Sequence, residues 1–457
     1  MADIDRAGTR VLVHHPGSNH LAYNLVGGLQ REGYDAVFDT GFFYDPAGRL
    51  ARLVARLPAA LRARAERELR RRSNALVDPA RVRAWPWAEL AYVAAARAGI
   101  SGERLARVIG WRNEVMDRRV ARALRREPAR VVIGHDGSAL HAARAARDTG
   151  ALTVLNQVIG HLEHGLELGR EEAARAPQFA ESMPDSPRWI VERHRAELAE
   201  TDRVLVPSDY VRDTLVARGV PEAKIATIPY GVDVARFRPP EAPRPRERMR
   251  LLFVGHLSQR KGIGYLLEAA RRLRGMPGLE LVLVGRRVGA DAAFAPYEGV
   301  FRHVPHVPFH EVHALFQDAD AFVYPSLHEG SAFVTYEALA SGLPVITTPN
   351  AGSVVRDGEE GYLVPIRDVD AIVDRVERLQ RDPDLRAAIC AGLEGLGLTL
   401  DPARNEALRG AEGEVSAASS RTPPPPPPPP PRRALDFTWD AYRTRVAAQL
   451  DRWLSSP

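Results

Sequence analysis

The chain has 457 residues, and 45% of them are hydrophobic, which is enough for two or three domains with large buried cores. Its 63 lysines and arginines exceed its 58 aspartates and glutamates by only five, so charge alone does not indicate a nucleic-acid-binding protein. The single cysteine, Cys390, excludes an internal disulfide bond, and no apolar run is long enough to span a bilayer. We therefore expect a cytoplasmic protein.

The first predicted elements are a strand, a glycine loop and a helix. Residues 10–15 have the apolar pattern of a buried strand, and residues 21–31 have that of a helix that ends at Gly33. Gly17 lies in the loop between them, where it could approach a phosphate or simply form a tight turn. The loop lacks the G-x-G-x-x-G pattern of dinucleotide-binding proteins, which argues against a nicotinamide-dependent oxidoreductase.

Residues 49–72 combine nine arginines with apolar residues at helical spacing. The apolar positions are Leu50, Leu53, Val54, Leu57 and Leu61. A basic amphipathic helix of this kind can lie on an anionic membrane surface. It can equally be a solvated helix that packs its leucines on the domain, and Pro58 interrupts the stripe. The sequence leaves both interpretations open.

Three histidines follow predicted strands of the first half. His135 ends an apolar strand at 130–135, a position that favours a role in binding, although a lone histidine is often structural. His161 and His164 follow a strand at 152–158, and they could contact a substrate or face water. No third ligand lies at metal-like spacing from His164, so we predict no metal site.

The end of the first half predicts another strand and helix, followed by a linker. Residues 204–206 form the strand, Ser208 is a candidate N-cap, and residues 210–218 form the helix. Residues 239–245 are rich in proline and charge, which is typical of a connection between domains.

A loop with three basic side chains opens the second half. It carries His256, Arg260 and Lys261 between a buried strand at 250–255 and a helix at 263–273. A cation fixed in such a loop stabilises a phosphate leaving group, because that group gains negative charge as its bond breaks. The alternative is an exposed basic pair at a turn.

The central unit of the second half predicts a strand at 321–324, a helix at 333–340 and a strand at 345–347, as in a parallel sheet. Ligands of such sheets bind beyond the carboxyl ends of the strands. Glu329 falls at that place, and Glu337 lies one turn into the helix.

The start of the same helix is a candidate phosphate site. Its first N–H groups are expected to be unpaired donors, and they belong to Gly330, Ser331, Ala332 and Phe333. Two carboxylates beside an anion site suggest a ligand with both hydroxyls and phosphates. A nucleotide sugar has this chemistry.

These residues resemble the signature of the family 4 retaining glycosyltransferases, which have the GT-B fold. The resemblance rests on Glu329 and Glu337 with seven residues between them, on the Ala-Leu-Ala that follows, and on Gly-Leu-Pro-Val at 342–345. It implies an α/β protein of two Rossmann-like domains that face a central cleft, with a C-terminal helix that crosses back to the first domain. The family uses a nucleotide-diphosphate sugar as donor, and the resemblance implies no cofactor and no metal.

The resemblance also implies roles for single residues. Lys261 and Arg260 would contact the donor diphosphate, Glu329 the sugar and phosphate end, Glu337 the ribose, and His135 the transferred sugar. The expected donor-binding set is Gly17, Gly255, His256, Lys261, Glu329, Gly330, Ser331, Ala332, Phe333 and Glu337. Two departures affect this set: His256 stands where the family usually has arginine, and Ser331-Ala332 stand where it often has Phe-Gly.

The C-terminal part changes character twice. Residues 396–435 are of low complexity, and the proline run at 423–431 predicts a polyproline II segment, either a spacer or a ligand for a proline-recognition domain. Residues 436–457 return to helical spacing and resemble the family's last helix. We predict an N-terminal acceptor-side domain at 1–238, a linker at 239–249, a nucleotide-sugar-binding domain at 250–395, the insertion at 396–435 and the crossover helix at 436–457.

The predicted activity is transfer of a sugar, with retention, to a glycan, a lipid-linked glycan or a small molecule, in the synthesis of surface polysaccharide or glycolipid. Peripheral contact with the inner membrane surface is a further expectation. The alternatives are a nucleotide-sugar epimerase of the same fold, which needs no acceptor, and a nucleic-acid-binding protein that would use the arginines.

Overall fold

The structure is a computed structural model, and it describes residues 4–17, 19–183, 185–241, 248–383, 386, 389 and 432–455. Most of the predicted linker and almost all of the predicted low-complexity insertion, including its proline run, lie outside these residues. The predicted domain boundaries remain predictions.

The described strands form two sheets in which every pair of neighbours is parallel. The first sheet has the order β3-β2-β1-β4-β5-β6-β7, and the second has the order β10-β9-β8-β11-β12-β13. The strands are β1 Arg10–His15, β2 Asp35–Thr40, β3 Val82–Ala84, β4 Val131–His135, β5 Leu152–Asn156, β6 Arg203–Val206, β7 Ile225–Thr227, β8 Met249–Val254, β9 Leu279–Val284, β10 Arg302–Val304, β11 Ala321–Tyr324, β12 Val345–Thr347 and β13 Gly361–Leu363.

Helices make most of the crossover connections between the parallel strands. They are α1 His20–Arg31, α2 Arg49–Val54, α3 Ala59–Arg70, α4 Pro86–Arg97, α5 Gly102–Leu124, α6 Leu140–Asp148, α7 Leu162–Arg175, α8 Arg188–Glu200, α9 Asp209–Val216, α10 Ile263–Arg272, α11 Val312–Gln317, α12 Phe333–Ala340, α13 Val369–Arg381, a single turn at Arg432–Leu435, and α14 Trp439–Ser455. Two 3-10 segments matter below, Pro177–Ser182 and Gln259–Lys261.

The strand order of each sheet reverses once, and ligands of such sheets bind at that point, beyond the carboxyl ends of the strands. The reversal lies between β1 and β4 in the first sheet and between β8 and β11 in the second. Gly17 and His135 follow or end the first pair of strands, while Gly255 and Glu329 follow the second pair. The topology alone therefore places these four predicted site residues at the two binding positions.

The last helix packs on the first domain although it follows the second in the chain. Tyr442, Val446, Ala447 and Leu450 of α14 are buried in one cluster with the β1 and α1 side chains. Asp451 accepts a hydrogen bond from the guanidinium of Arg6. The predicted architecture, two Rossmann-like domains with a returning helix, is confirmed.

The arginine-rich stretch at 49–72 is two helices rather than one. Proline has no N–H to continue a helix, and Pro58 is the N-cap residue of α3. Within α2 and α3, only Val54 is buried, and the leucines at 50, 53, 57 and 61 are exposed. The alternative in which these leucines pack on the domain is therefore wrong.

Candidate functional site between the two domains

The loop after β11 is one of the places where the second domain meets the first. The carbonyl oxygen of Glu329 accepts a hydrogen bond from the Gly160 N–H at 3.2 Å. The carbonyl of Gly330 accepts another from the Ser208 hydroxyl at 2.5 Å. A Cβ on Gly330 would lie 1.7 Å from the Val158 oxygen, so only glycine allows this approach. Glu329 is thus held at the interface between the domains.

Three charged side chains meet beside this loop. The Lys261 ammonium forms an ion pair with Glu329, and an Arg260 guanidinium nitrogen lies 3.0 Å from the same carboxylate. Arg260 also donates to the His328 carbonyl at 2.8 Å, so it does not point to solvent. The Tyr324 hydroxyl is 3.3 Å from Glu329, and its ring lies 5.3 Å from the lysine nitrogen. With all three charged side chains ionised, the cluster carries a net charge of one positive unit.

Two glycines shape the loop that carries the lysine. Gly255, directly after β8, has φ 149°, and Gly262, after the 3-10 turn Gln259–Lys261, has φ 74°. A Cβ on Gly262 would lie 1.9 Å from the Pro325 oxygen. The loop therefore packs directly against the end of β11, and this contact brings Lys261 to Glu329.

The environment of Lys261 disfavours its charged form. Burial is the main cause, followed by the charge of Arg260, and together they lower the pKa of Lys261 to about 6. Burial also lowers the pKa of Arg260. An added anion at this position would favour the protonated lysine.

The start of α12 presents part of the predicted set of free amides. Within the described residues, the N–H groups of Gly330, Ser331 and Phe333 have no hydrogen-bond partner. The prediction for Ala332 is wrong, because its N–H donates to the Ala351 carbonyl at 3.0 Å. A local contact between two loops of the same domain satisfies it, which spacing along the chain does not reveal.

Phe333 has a second role that the sequence did not indicate. Its ring stacks on Tyr230 at 5.0 Å between centroids and lies 5.8 Å from the ring of Trp439. These rings belong to the segment that ends the first domain and to α14. The aromatic contact anchors the N-terminus of α12 against the first domain.

Glu337 lies on the same helix, one turn further on. No described residue donates a hydrogen bond to its carboxylate. Burial raises the pKa of Glu337 to about 7, against an opposing effect from Arg236. A partly buried carboxylate without a donor is disfavoured unless a ligand supplies one.

His256 does not supply the cation that the family usually has at its position. It is exposed, and burial of part of its ring lowers its pKa, helped by the charges of Arg286, Lys261 and Arg260. Its neutral imidazole can donate one hydrogen bond and accept one. The positive charge of the loop rests with Arg260 and Lys261.

On the first domain, His135 and Gly17 lie at the strand reversal. His135 is buried, its Nδ1 is 3.0 Å from the His14 carbonyl, and burial lowers its pKa to about 4. The ring is therefore neutral, and Nε2 is an acceptor without a partner among the described residues. The N–H of Gly17 donates to the His15 ring at 3.1 Å, so this amide is already used.

The other two histidines are structural in part. His161 caps α7 by accepting a hydrogen bond from the Glu163 N–H at 3.2 Å. His164 lies beside Tyr210 and His328, whose hydroxyl and Nδ1 are 2.7 Å apart. The His328 side chain comes from the second domain, so this cluster adds to the contact between the domains.

In the described part of the chain, one cluster of two carboxylates and a histidine has ligand atoms close enough together to hold a metal ion: Glu114, Asp117 and His141. The guanidinium of Arg193 contacts both carboxylates and already supplies a cation there. The absence of a metal remains a prediction.

Two family profiles match the chain in succession. The profile described as Glycosyltransferase Family 4 matches residues 88–236, and the profile described as Glycosyl transferases group 1 matches residues 248–382. The chain belongs to this glycosyltransferase family. The resemblance to the family 4 glycosyltransferases, which rested on Glu329, Glu337 and the residues that follow them, is confirmed.

This family 4 chain is similar to named glycosyltransferases. It is 28% identical over 267 residues to the putative colanic acid biosynthesis glycosyltransferase WcaL of Salmonella typhimurium, covering 55% of the chain and 62% of WcaL. It is 31% identical over 228 residues to the GDP-mannose-dependent alpha-(1-6)-phosphatidylinositol monomannoside mannosyltransferase of Mycolicibacterium smegmatis, covering 44% and 58%. The chain thus spans less than two thirds of the length of these relatives.

Solved structures share its fold. Sucrose-phosphate synthase from Thermosynechococcus elongatus has a TM-score of 0.56 at 17% identity, over 98% of this chain and 99% of that one. Anabaena HepE in complex with UDP has a TM-score of 0.57 at 11% identity, over 97% and 100%. The GT-B fold class is confirmed.

The comparisons give no support to an epimerase or a nucleic-acid-binding protein. Among the residues that the structure describes, no helix combines the length and the apolar character that a bilayer span requires.

Proposed function

We propose that this protein is a retaining glycosyltransferase that moves a sugar from a nucleotide-diphosphate sugar to an acceptor bound by the first domain. The observation that carries the proposal is the charge cluster of Lys261, Arg260 and Glu329 at the strand reversal of the second sheet. The cluster lies beside the free N–H groups at the start of α12. Glu337, whose carboxylate has no hydrogen-bond donor among the described residues, lies one turn further along the same helix. Cations and amides suit a diphosphate, and a carboxylate suits ribose hydroxyls.

The chemistry follows from these placements. The bond between the anomeric carbon and the diphosphate oxygen breaks, and negative charge collects on the leaving phosphate. Lys261 and Arg260 stabilise that charge more in the transition state than in the bound donor. The acceptor oxygen attacks from the same face, and its proton passes to a phosphate oxygen, so retention needs no protein nucleophile. Nε2 of His135 accepts a hydrogen bond from the transferred sugar.

The proposal includes the roles of the remaining cleft residues. Glu329 releases part of its contact with Lys261 when the diphosphate binds, and it then accepts from a hydroxyl of the sugar. Gly255 allows the donor to approach the backbone closely, because it carries no Cβ. Gly330 offers its free N–H to the donor. Closure of the two domains excludes water and limits hydrolysis.

A panel of nucleotide sugars tests the activity. Each donor is incubated with the protein, with and without polysaccharide, glycolipid and small-molecule acceptors, and release of nucleoside diphosphate is measured. We expect release with one donor class, increased by a matching acceptor. Release that is complete without any acceptor and leaves an isomerised sugar would identify an epimerase instead.

The pH dependence of nucleoside diphosphate binding is a further prediction. Binding needs the ammonium form of Lys261 and the carboxylate form of Glu337, whose pKa values are about 6 and about 7. Affinity should therefore fall as the pH drops below about 7 and Glu337 is protonated, and fall as the pH rises above about 6 and Lys261 loses its proton, so it should be highest between these two values. Calorimetry from pH 5 to 9 should give a bell-shaped profile.

Two variants test which residue causes the fall in affinity on each side of that pH profile. Lys261→Arg should remove the alkaline limb, because arginine stays protonated, and Glu337→Gln should remove the acidic limb. The ligand's own phosphate, which titrates near pH 6, contributes equally to every variant. An alkaline limb that persists in Lys261→Arg contradicts the role given to Lys261.

We also propose that the first domain, which would bind the acceptor, contacts an anionic membrane surface in the cytoplasm through α2, α3 and α4. The exposed leucines of α2 and α3 lie among nine arginines, and Leu53 is 58% exposed. Helix α4 is tied to α3 by the ion pair Arg97–Glu68 and adds Trp87, which is 71% exposed. Apolar and basic side chains side by side suit a lipid surface.

Flotation with vesicles tests this contact. The double variant Leu53→Ser, Leu61→Ser should bind vesicles that contain anionic phospholipid about thirtyfold less than the unaltered protein, since each leucine loses roughly 1 kcal/mol of partial burial. Val216→Ser, an exposed apolar position on α9, is the matched control. Equal binding of the double variant, or no preference for anionic over neutral vesicles, contradicts the membrane proposal.

A further inference from the structure

A buried carboxylate of the first domain joins the second domain beside the lysine loop. Glu172 of α7 is fully buried and accepts hydrogen bonds from Gln259 Nε2 at 2.7 Å, from the Tyr265 hydroxyl at 2.8 Å and from Arg367 Nε at 2.6 Å. All three donors belong to the second domain. We call these four side chains the clasp.

Gln259 connects the clasp to the proposed diphosphate site. Its backbone N–H donates to the Ser182 hydroxyl of the first domain at 2.7 Å, and its side-chain oxygen accepts from Gly264 at 3.1 Å. The residue is fully buried and lies two positions before Lys261. Its backbone and its side chain are therefore both held, and the position of Lys261 is tied to that of Glu172.

Arg367 shows how strongly the clasp is determined. Among the described residues, Arg367 is the one residue other than glycine that has a positive φ, at 70°. This left-handed conformation is strained for a residue with a Cβ, and it persists only where contacts impose it. The contacts are those to Glu172 and to Glu171, whose carboxylate lies 2.8 Å from Arg367 Nη2. Both acids belong to α7 of the first domain.

We propose that Glu172 is a positioning residue, which sets Lys261 against the donor diphosphate when the two domains are closed. The inference rests on the proposed function and adds a coupling between domain closure and diphosphate binding. When the domains separate, Gln259 loses Glu172 and Ser182, and the loop that carries Lys261 keeps only its contacts with the end of β11 in its own domain. The lysine then binds the diphosphate less well, while Glu337, which the clasp does not contact, keeps its position on α12.

A double-mutant cycle with nucleotide binding as the readout tests the coupling. Glu172→Ala should weaken nucleoside diphosphate binding about tenfold and leave nucleoside monophosphate binding within about twofold, because only the diphosphate contact depends on Lys261. In Lys261→Ala the same substitution should have little further effect. Glu172→Gln, which keeps an acceptor oxygen, should restore part of the affinity. Additive effects, or equal losses for monophosphate and diphosphate, overturn the proposal.

Acylation of lysine provides a test that needs no nucleotide. The chain contains two lysines, Lys224 and Lys261, so peptide mass spectrometry can follow both side chains. Lys261 should be acylated about fivefold faster in Glu172→Ala, because a released loop exposes it, whereas the rate at Lys224 should not change. Glu167→Gln is the matched control on α7, since Glu167 pairs with Arg218 outside the clasp.

The two tests separate this inference from the proposed function. An unchanged acylation rate at Lys261 in Glu172→Ala overturns the positioning role even if the protein transfers sugar. Faster acylation together with no binding of any nucleoside diphosphate overturns the proposed function and, with it, the link to the donor. Circular dichroism of each variant establishes that the fold is retained.

Discussion

Replacing Lys261 by alanine is expected to lower the rate of sugar transfer about a hundredfold, which corresponds to about 3 kcal/mol of transition-state stabilisation. The reason is the position of its ammonium group beside Glu329 and Arg260, where the leaving diphosphate would collect charge. Burial makes this effect larger than that of a surface lysine, because the charge is less screened. The measurement is kcat with the donor identified in the panel.

The control for this variant is Lys224→Ala. Lys224 is the other lysine of the chain, and its ammonium donates to the Leu198 carbonyl on the first domain. Its removal should leave kcat within about twofold. Wild-type turnover by Lys261→Ala would reject the role of Lys261. Unfolding is not expected, since burial of an ammonium group opposes folding.

Replacing Glu337 by alanine is expected to weaken donor binding about a hundredfold, because each hydrogen bond from a ribose hydroxyl to a carboxylate contributes about 1.5–3 kcal/mol. The variant should show a raised KM for the donor and a raised Kd for nucleoside diphosphate. Glu377→Ala, at a half-buried position on α13, is the matched control, because among the described residues Glu377 forms its ion pair with Arg381.

Although replacing Glu337 should weaken donor binding, Glu337→Gln should be more stable to unfolding than the unaltered protein. Burial in the folded protein raises the pKa of Glu337 from its ordinary value to about 7, so the folded state favours the protonated acid. The stability that this preference contributes is present at low pH and is lost as the pH rises through about 7. The neutral amide should therefore raise Tm at pH 8 and leave it unchanged at pH 4. A stability gain with a binding loss is typical of a residue kept for function. A lower Tm at pH 8 would show that Glu337 is structural.

The parts of the fold that could be predicted from the sequence are those with a continuous local pattern. The strand Ala321–Tyr324, the helix Phe333–Ala340 and the strand Val345–Thr347 were predicted with these bounds, because apolar runs and glycine or proline mark both ends. Helix α5 was not predicted. Its buried residues lie only in its second half, from Met116 to Leu124, so its apolar pattern is weak.

The contacts that build the site could not be predicted, because they join distant positions. Glu172 and Gln259 are 87 positions apart, and Glu172 and Arg367 are 195 apart. Pattern and spacing place each residue on its own element but not on a partner in the other domain. The same limit explains Ala332, whose amide is satisfied by a neighbouring loop.

The composition of the chain carries one further signal at the site. The chain has 63 basic residues, and two of them are lysines. A lysine at 261, in a chain that otherwise uses arginine, indicates a position where the compact ammonium group is needed. Tyr324, which lies under that lysine, carries no such signal, because it simply ends a buried strand.

A crystal structure of the protein with a bound nucleoside diphosphate tests the central claim most directly. The diphosphate should lie between the lysine loop and the start of α12, with an oxygen at about 2.7–3.2 Å from the Lys261 nitrogen and the ribose hydroxyls on Glu337. A nucleotide that binds elsewhere, or that contacts neither Lys261 nor Glu337, would contradict it.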